Sequence, residues 1–338
     1  LFEGFRRRAR KRLESMPDMQ VVGVTASYGK TSIKNFLAMI LGEKYRTYAT
    51  PRSVNTLGGV MKDVNEDLPE NIEVYVVEMG ARGEGDIAEI TEFVQPHYAV
   101  VGVVGPAHIE YFKTLERIRD TKLEILRSPR LREAWVHESA RIDPASDPRI
   151  HSFGPEIEAV EATLEGTCFT LDGERYCAKI LGAFNAINLA AAIHVARALG
   201  LSPEEIRRGM AKIEAVPHRL QRIDAGGKVI LDDSFNGNID GMMASFDLAG
   251  TWPGRKILIT PGLVEADEAL NERIARRANE LFDRIVVTGD LNYGIFRRIV
   301  ASEKLRHLER KEEMEAMLVE ETMPGDLILF ANDAPSFV

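Results

Sequence analysis

The stretch from Gln20 to Leu41 constrains the fold of this chain more than any other. The apolar run Gln20-Val21-Val22-Gly23-Val24 predicts a buried strand. Thr25-Ala26-Ser27-Tyr28-Gly29-Lys30-Thr31-Ser32 follows as a loop of mostly small residues, and residues 33–41 carry a helical pattern. Strand, small-residue loop, Gly-Lys-Thr and helix form a phosphate-binding layout. Small residues let backbone N–H groups approach a phosphate, and the helix N-terminus adds partial positive charge. In that layout Lys30 reaches the β/γ-phosphates and the Thr31 hydroxyl holds Mg²⁺, with Ser27, Gly29 and Ser32 completing the cradle. The strict G-x-x-x-x-G-K-[ST] pattern is not met, because Val24 occupies the first glycine position. A glycine turn with a surface lysine is the competing reading.

The same rhythm recurs downstream. Residues 21–24, 74–77 and 99–104 are runs rich in β-branched residues, as in a parallel sheet covered on both faces. Helical patterns at 33–41 and 85–93 lie between them, which is the βαβ order of an α/β domain. Residues 158–181 differ: 167–171 and 175–180 read as two strands around a turn at Asp172-Gly173. Gly182-Ala183-Phe184-Asn185-Ala186-Ile187-Asn188 runs into a predicted helix over 189–199. Gly200 caps that helix, and Ser202-Pro203-Glu204-Glu205 opens the next as a capping box. Beyond Pro217 a second α/β pattern follows, with strands at 228–231, 256–260, 284–288 and 326–330 and helices at 267–282 and 311–320. The expected organisation is a basic segment 1–17, a central domain 18–217 and a C-terminal domain 218–338. The expected fold class is α/β: a central P-loop ATPase-like domain with a mainly parallel sheet, then a Rossmann-like domain.

Bulk properties narrow the function. The 338 residues carry a net charge of −9, which argues against a general nucleic-acid binder. Cys168 and Cys177 flank the Asp172-Gly173 turn; two cysteines make no disulfide framework, and a reduced pair is the expectation. No apolar run approaches the length of a membrane span, and no signal peptide is visible. The chain starts at Leu1 rather than Met, which predicts a piece of a longer protein. Its first twelve residues are densely basic. They read either as a solvated helix or as a segment on the cytoplasmic side of a membrane.

Polar residues cluster just past predicted strand ends, the edge at which open α/β sheets bind ligands. Glu78 ends one strand, and a carboxylate beside a phosphate loop is a natural Mg²⁺ ligand. His108 follows another. Lys122 lies on a helical stretch fourteen residues later, where composition alone makes it a surface lysine. Asp232-Asp233-Ser234-Phe235-Asn236-Gly237-Asn238 is a polar loop after a strand, and its Asn-Gly-Asn has turn chemistry whatever its function.

Taken in order, these segments resemble the Mur ligases, the ATP-dependent amide ligases of peptidoglycan synthesis. The likeness runs from about residue 19 to the C-terminus and is strongest to the branch that adds D-alanyl-D-alanine to a UDP-N-acetylmuramoyl-tripeptide. Residues 25–32 resemble the family's T-G-x-x-G-K-[TS], with Ala26 for glycine. Glu78-Met79-Gly80-Ala81 resembles E-[ML]-G-A, and the Asn-His that follows it in the family is Arg82-Gly83 here. Ala107-His108-Ile109-Glu110 with Lys122 resembles the family's histidine and its carbamylated lysine. Residues 182–188 are similar to G-x-H-N-x-x-N, with Phe184 for histidine. Pro217-His218-Arg219 resembles the interdomain arginine segment. Residues 232–238 are similar to D-D-x-Y-N-A-N, with Phe235 for Tyr and Gly237 for Ala. The stretch Thr50-Pro51-Arg52-Ser53-Val54-Asn55-Thr56 matches the muramoyl-binding stretch in part, and Phe330-Ala331-Asn332-Asp333 stands where that branch has Lys-Gly-Ser.

The resemblance implies a reaction and a set of roles. ATP phosphorylates a carboxylate, and an amine attacks the acyl phosphate. Lys30 and Arg219 neutralise phosphates. Thr31 and Glu78 hold one Mg²⁺; His108 and a carbamylated Lys122 hold a second. Lys30, His108 and Lys122 form the catalytic set. Asn185 and Asn188 lie near the adenine, Asp233 bonds the ribose and Asn236 belongs to the ATP-binding set, so the two domains close to complete the site. Thr50, Asn55 and Thr56 meet the UDP-muramoyl peptide, and D-Ala-D-Ala is the acceptor. A cytoplasmic monomer with small-molecule partners is implied, and the family's first domain is absent from this chain. The basic stretch Arg6–Arg12 sits where that domain would join and suggests a membrane-associated segment upstream, an ordinary soluble domain being the competing reading. Two alternatives stand beside this reading: a related Mur or folylpolyglutamate-type ligase with another amine, and a non-catalytic nucleotide-binding subunit.

Overall fold

The computed structural model describes residues 2–107, 109–235, 237–264 and 266–332. They divide into two compact units. One comprises Leu1–Ala159, Phe169–Cys177 and Asn185–Ile213; the other comprises Val160–Cys168, Ala178–Phe184 and Glu214–Val338.

The first unit holds strands β1 (Gln20–Thr25), β2 (Thr47–Ala49), β3 (Val74–Glu78), β4 (Tyr98–Val101), β5 (Glu133–His137) and β6 (Ile150–Phe153). They form one sheet in the order β2-β3-β1-β4-β5-β6, and every pair is parallel. All of β3 and all but the first residue of β1 are buried, as their unbroken apolar runs require. The chain leaves β1 toward β2 and β3 on one side and later adds β4 on the other. The C-terminal end of β1 is therefore the topological switch point, where a crevice opens above an open sheet.

Several boundaries differ from the sequence reading. The strand predicted over 99–104 ends at Val101, and the chain then turns across the phosphate loop: Gly102 N donates to Thr25 O at 2.8 Å and Ser27 N to Val103 O at 2.8 Å. The first helix after β1 begins at Lys30, earlier than predicted, because Gly29 supplies a left-handed turn into it, φ 84°. The helix Leu115–Leu123 tightens into a 3₁₀ turn at Glu124–Arg127. The helix predicted over 189–199 is Phe184–Ala198, so Asn185 and Asn188 lie in its first turns.

The basic N-terminal segment is the helix Phe2–Glu14, and one of its faces is docked. Ala9 is fully buried, Arg12 donates to the carbonyls of Asn65 and Leu68, and Asn65 Nδ2 donates to Phe5 O. Among the described residues no helix is long and apolar enough to cross a membrane.

A separate three-stranded sheet has the order β7 (Ile157–Thr163), β8 (Gly166–Leu171), β9 (Glu174–Ala178). Strand β7 has no signature in the sequence, because most of its residues face solvent and carry no alternation. Asp172 and Gly173 both take positive φ, 51° and 78°, as a two-residue hairpin turn demands. Both cysteines are disulfide-bonded, which corrects the expected reduced pair. Composition is blind to strand register, and register decides whether thiols can meet.

The second unit adds β10 (Gln221–Ala225), β11 (Lys228–Asp233), β12 (Lys256–Thr260), β13 (Arg284–Thr288), β14 (Leu305–Leu308) and β15 (Leu327–Ala331). Their order is β10-β11-β15-β12-β13-β14, parallel except for β10. The period of two divides its core. Leu231, Leu258, Ile285 and Leu329 pack with Phe246 and Phe282 on one face. Ile257, Ile259, Val286 and Ile328 pack with Met314 and Met317 on the other.

Candidate functional site

In the first unit the site is built from three strand ends. After β1 the loop is held by its neighbours. Ser27 Oγ donates to Gly105 O at 2.9 Å and accepts from Gly105 N at 3.0 Å. A Cβ on Gly29 would lie 2.4 Å from Asn188 Oδ1, and Asn188 Nδ2 donates to Asn185 Oδ1 at 2.9 Å. The two asparagines thus pack against the phosphate loop itself. Lys30 opens the helix Lys30–Leu41 and folds back to donate to Ala26 O at 2.8 Å. Ser27, Thr31 and Ser32 are all buried.

Glu78 closes β3 and is 1% exposed. Oε1 accepts from Asn55 Nδ2 at 3.0 Å, whereas Oε2 is buried with no hydrogen-bond partner. Thr50 Oγ1 accepts from Glu78 N at 3.1 Å, so Thr50 holds the backbone of this residue and Asn55 its carboxylate. Thr56 caps the helix Leu57–Glu66, its hydroxyl accepting from Gly59 N at 3.2 Å.

Sequence reasoning missed Lys34. It is 1% exposed and lies 3.7 Å from Glu78 Oε2. Its ammonium donates to the carbonyls of Thr50 and Arg52. Burial lowers its pKa, and the Glu78 charge opposes that shift. The helical pattern over residues 33–41 does not by itself single it out. The signal was its i+4 spacing from Lys30, which keeps it on the sheet-facing side.

Lys122 is 3% exposed, not the surface lysine that composition suggested. Burial, aided by the charge of Lys30, lowers its pKa to about 7, against the pull of Asp86 and Glu124. Those two carboxylates have local duties: Asp86 accepts from the backbone of Arg82 and Gly83, and Glu124 from Gly85 and Ala88.

In the second unit Asp233 is buried at the end of β11, and Arg219 is partly exposed. His108 and Asn236 lie outside the described residues.

A Mg²⁺ ion fits Glu78. A buried carboxylate oxygen that makes no hydrogen bond, beside a phosphate loop with a threonine hydroxyl, is the hard oxygen donor set this ion takes. The described residues hold no cluster of three or more His, Cys, Asp or Glu suited to a metal. Mg²⁺ needs none when substrate phosphates and water complete its shell.

Comparison with known proteins gives the family. The family profile for the Mur ligase middle domain matches residues 24–196. A UDP-N-acetylmuramoyl-tripeptide–D-alanyl-D-alanine ligase of Bacillus subtilis is 27% identical over 334 residues, covering 92% of this chain and 72% of that protein. Its namesake from Escherichia coli is 28% identical, covering 82% of this chain and 66% of that protein. Among solved structures, the MurF ligase of Thermotoga maritima in complex with ADP superposes with a TM-score of 0.83 at 25% identity, over 98% of this chain and 80% of that one.

Proposed function

The chain belongs to the Mur ligase family, and on that premise we propose that it is an ATP-dependent, ADP-forming amide ligase acting on a UDP-N-acetylmuramoyl-tripeptide with D-alanyl-D-alanine as the amine. The observation that carries the reading is the phosphate loop set beside a buried glutamate, one of whose oxygens makes no hydrogen bond and has only the Lys34 ion pair near it. The likeness to ligases of that printed name supports the substrate pair.

A carboxylate is a poor electrophile at neutral pH. One of its oxygens takes the γ-phosphoryl group and ADP leaves. The amine nitrogen then attacks the acyl carbon, loses a proton, and inorganic phosphate departs as the C–O bond breaks. Catalysis here is positioning and charge stabilisation. Lys30 releases its carbonyl contact with Ala26 and turns to the phosphates. Thr31 and Glu78 hold the first Mg²⁺, which neutralises phosphate charge when bound. Asn185 and Asn188 brace the nucleotide side of the loop; Arg219 contacts a phosphate and Asp233 the ribose, and Asn236 is assigned to ATP binding. Thr50, Asn55 and Thr56 shape the muramoyl side.

Lys122 is assigned a carbamate. Its lowered pKa leaves a neutral amine at physiological pH, and that amine adds to CO₂ with loss of a proton. The product is an anion able to join His108 at a second Mg²⁺.

Purified protein should release phosphate only when ATP·Mg²⁺, the UDP-muramoyl tripeptide and D-Ala-D-Ala are all present. Release with a lone amino acid and none with the dipeptide would move the assignment to a ligase with another acceptor.

The free face of helix Phe2–Glu14 exposes Arg7, Arg8 and Lys11, and we assign it to an anionic membrane surface. Sedimentation with phosphatidylserine vesicles at low salt, lost in Arg7→Ala/Arg8→Ala, supports this; no sedimentation at low salt ends it.

A further inference from the structure

The segment 217–220 is bent in a way its sequence does not favour. His218 and Leu220 both lie in the left-handed region, φ 64° and 55°. Residues other than glycine rarely take that conformation without an outside hold. The hold comes from the end of β11. Asp232 Oδ2 lies 2.8 Å from His218 Nδ1, and the Asp232 side chain is 2% exposed. The other Asp232 oxygen accepts from the Ser234 hydroxyl at 2.5 Å and from Ser234 N at 3.2 Å. The carboxylate is therefore itself fixed, and the imidazole donates to it from a protonated Nδ1. The backbone is tied too, since Phe235 N donates to His218 O at 3.1 Å. The Phe235 ring leans on the imidazole, centroids 4.6 Å apart.

Arg219 stands between the two left-handed residues, and Asp233 stands between the two residues that anchor His218. We propose that His218 is a positioning residue: by clamping onto Asp232 it makes the Arg219 segment and the Asp233 loop one rigid cradle for the nucleotide. His218 touches no substrate in this scheme. The inference rests on the reading that Arg219 and Asp233 meet the nucleotide. It adds the element that makes the two act as a unit, because an arginine on a freely turning segment loses affinity to its own disorder.

Three variants of the full chain test it, each checked for wild-type circular dichroism and then titrated with ADP·Mg²⁺ by calorimetry. His218→Gly keeps the left-handed backbone and removes the clamp; ADP should bind at least tenfold more weakly. His218→Asn tolerates the same φ and places an amide N–H near the Nδ1 position, so affinity should stay within about threefold of wild type. Arg219→Ala should lose about as much as His218→Gly, and the double variant no more than Arg219→Ala alone, because the histidine acts through the arginine. Wild-type affinity in His218→Gly with a loss in Arg219→Ala overturns the clamp and leaves the nucleotide reading standing. Additive losses in the double variant also overturn it. Wild-type affinity in Arg219→Ala overturns the nucleotide reading and the clamp together.

Discussion

A buried lysine needs a reason, and Lys34 and Lys122 have different ones. Lys34 is held by two carbonyls and a carboxylate, contacts that favour its charged form against the burial that lowers its pKa. Removing it strands Glu78 in the interior, and breaking a buried pair costs about 3–5 kcal/mol. Lys34→Met should lower the unfolding free energy from a urea titration by an amount of that order and raise KM for the muramoyl substrate, whose proposed loop it ties down. A loss below about 1 kcal/mol would mean the pair carries little. Lys122 has a pKa near 7, so its neutral form dominates above that pH and carbamate should form there at fixed CO₂ pressure. A ¹³C carbamate resonance that grows as pH rises through 7 and vanishes in Lys122→Ala checks this. Lys122→Ala should lose most turnover and regain part with a short carboxylic acid; full activity in Lys122→Gln would contradict the ligand role. The same shift acts on folding. The unfolded lysine binds its proton up to its ordinary 10.5 and the folded one only to about 7, so this group makes stability rise with pH across that window.

At the scale of elements, the strand-end loops do the work and glycine decides their shape. Gly29 needs a positive φ of 84° and also the absence of a Cβ, which would sit 2.4 Å from Asn188 Oδ1. Gly29→Ala should therefore cost at least about 1 kcal/mol from backbone strain alone, by thermal melt, and weaken ADP binding with it. Gly80 is constrained by crowding: a Cβ there would lie 2.7 Å from Asn55 Cγ, and its N–H donates to Asn55 O at 2.7 Å. Gly80→Ala should displace Asn55 from Glu78 and so weaken Mg²⁺ binding, measured with Mn²⁺ as a paramagnetic probe. Unchanged Mn²⁺ affinity would separate Asn55 from the metal site.

For the molecule as a whole, nucleotide binding to the folded state must raise its stability, by about 2.7 kcal/mol at one hundred times Kd. ADP·Mg²⁺ should raise Tm in the wild type and leave it unmoved in Lys30→Ala, whose unliganded Tm should match wild type because Lys30 carries no core. A matching shift in Lys30→Ala would dismiss the phosphate-loop assignment.

The sequence by itself determined the α/β class, the two successive βαβ patterns and the phosphate loop. Each is written in local order, since a run of β-branched residues, a small-residue turn and a helix start need no distant partner to be recognised. Glu78 and Asp233 were legible for the same reason, as carboxylates ending apolar runs. Tertiary structure decided what depends on neighbours far along the chain. It turned Lys122 from a surface lysine into a buried amine with a lowered pKa, and it gave Lys34 a carboxylate 44 positions away. It recast Thr50 and Asn55 as supports of Glu78, and it left Oε2 of that residue without a hydrogen bond. It bonded two cysteines that composition read as reduced. Burial and pairing are properties of a packed interior, where desolvation sets the charge state of a side chain and register sets its partner. Neither can be read from residue types along a line.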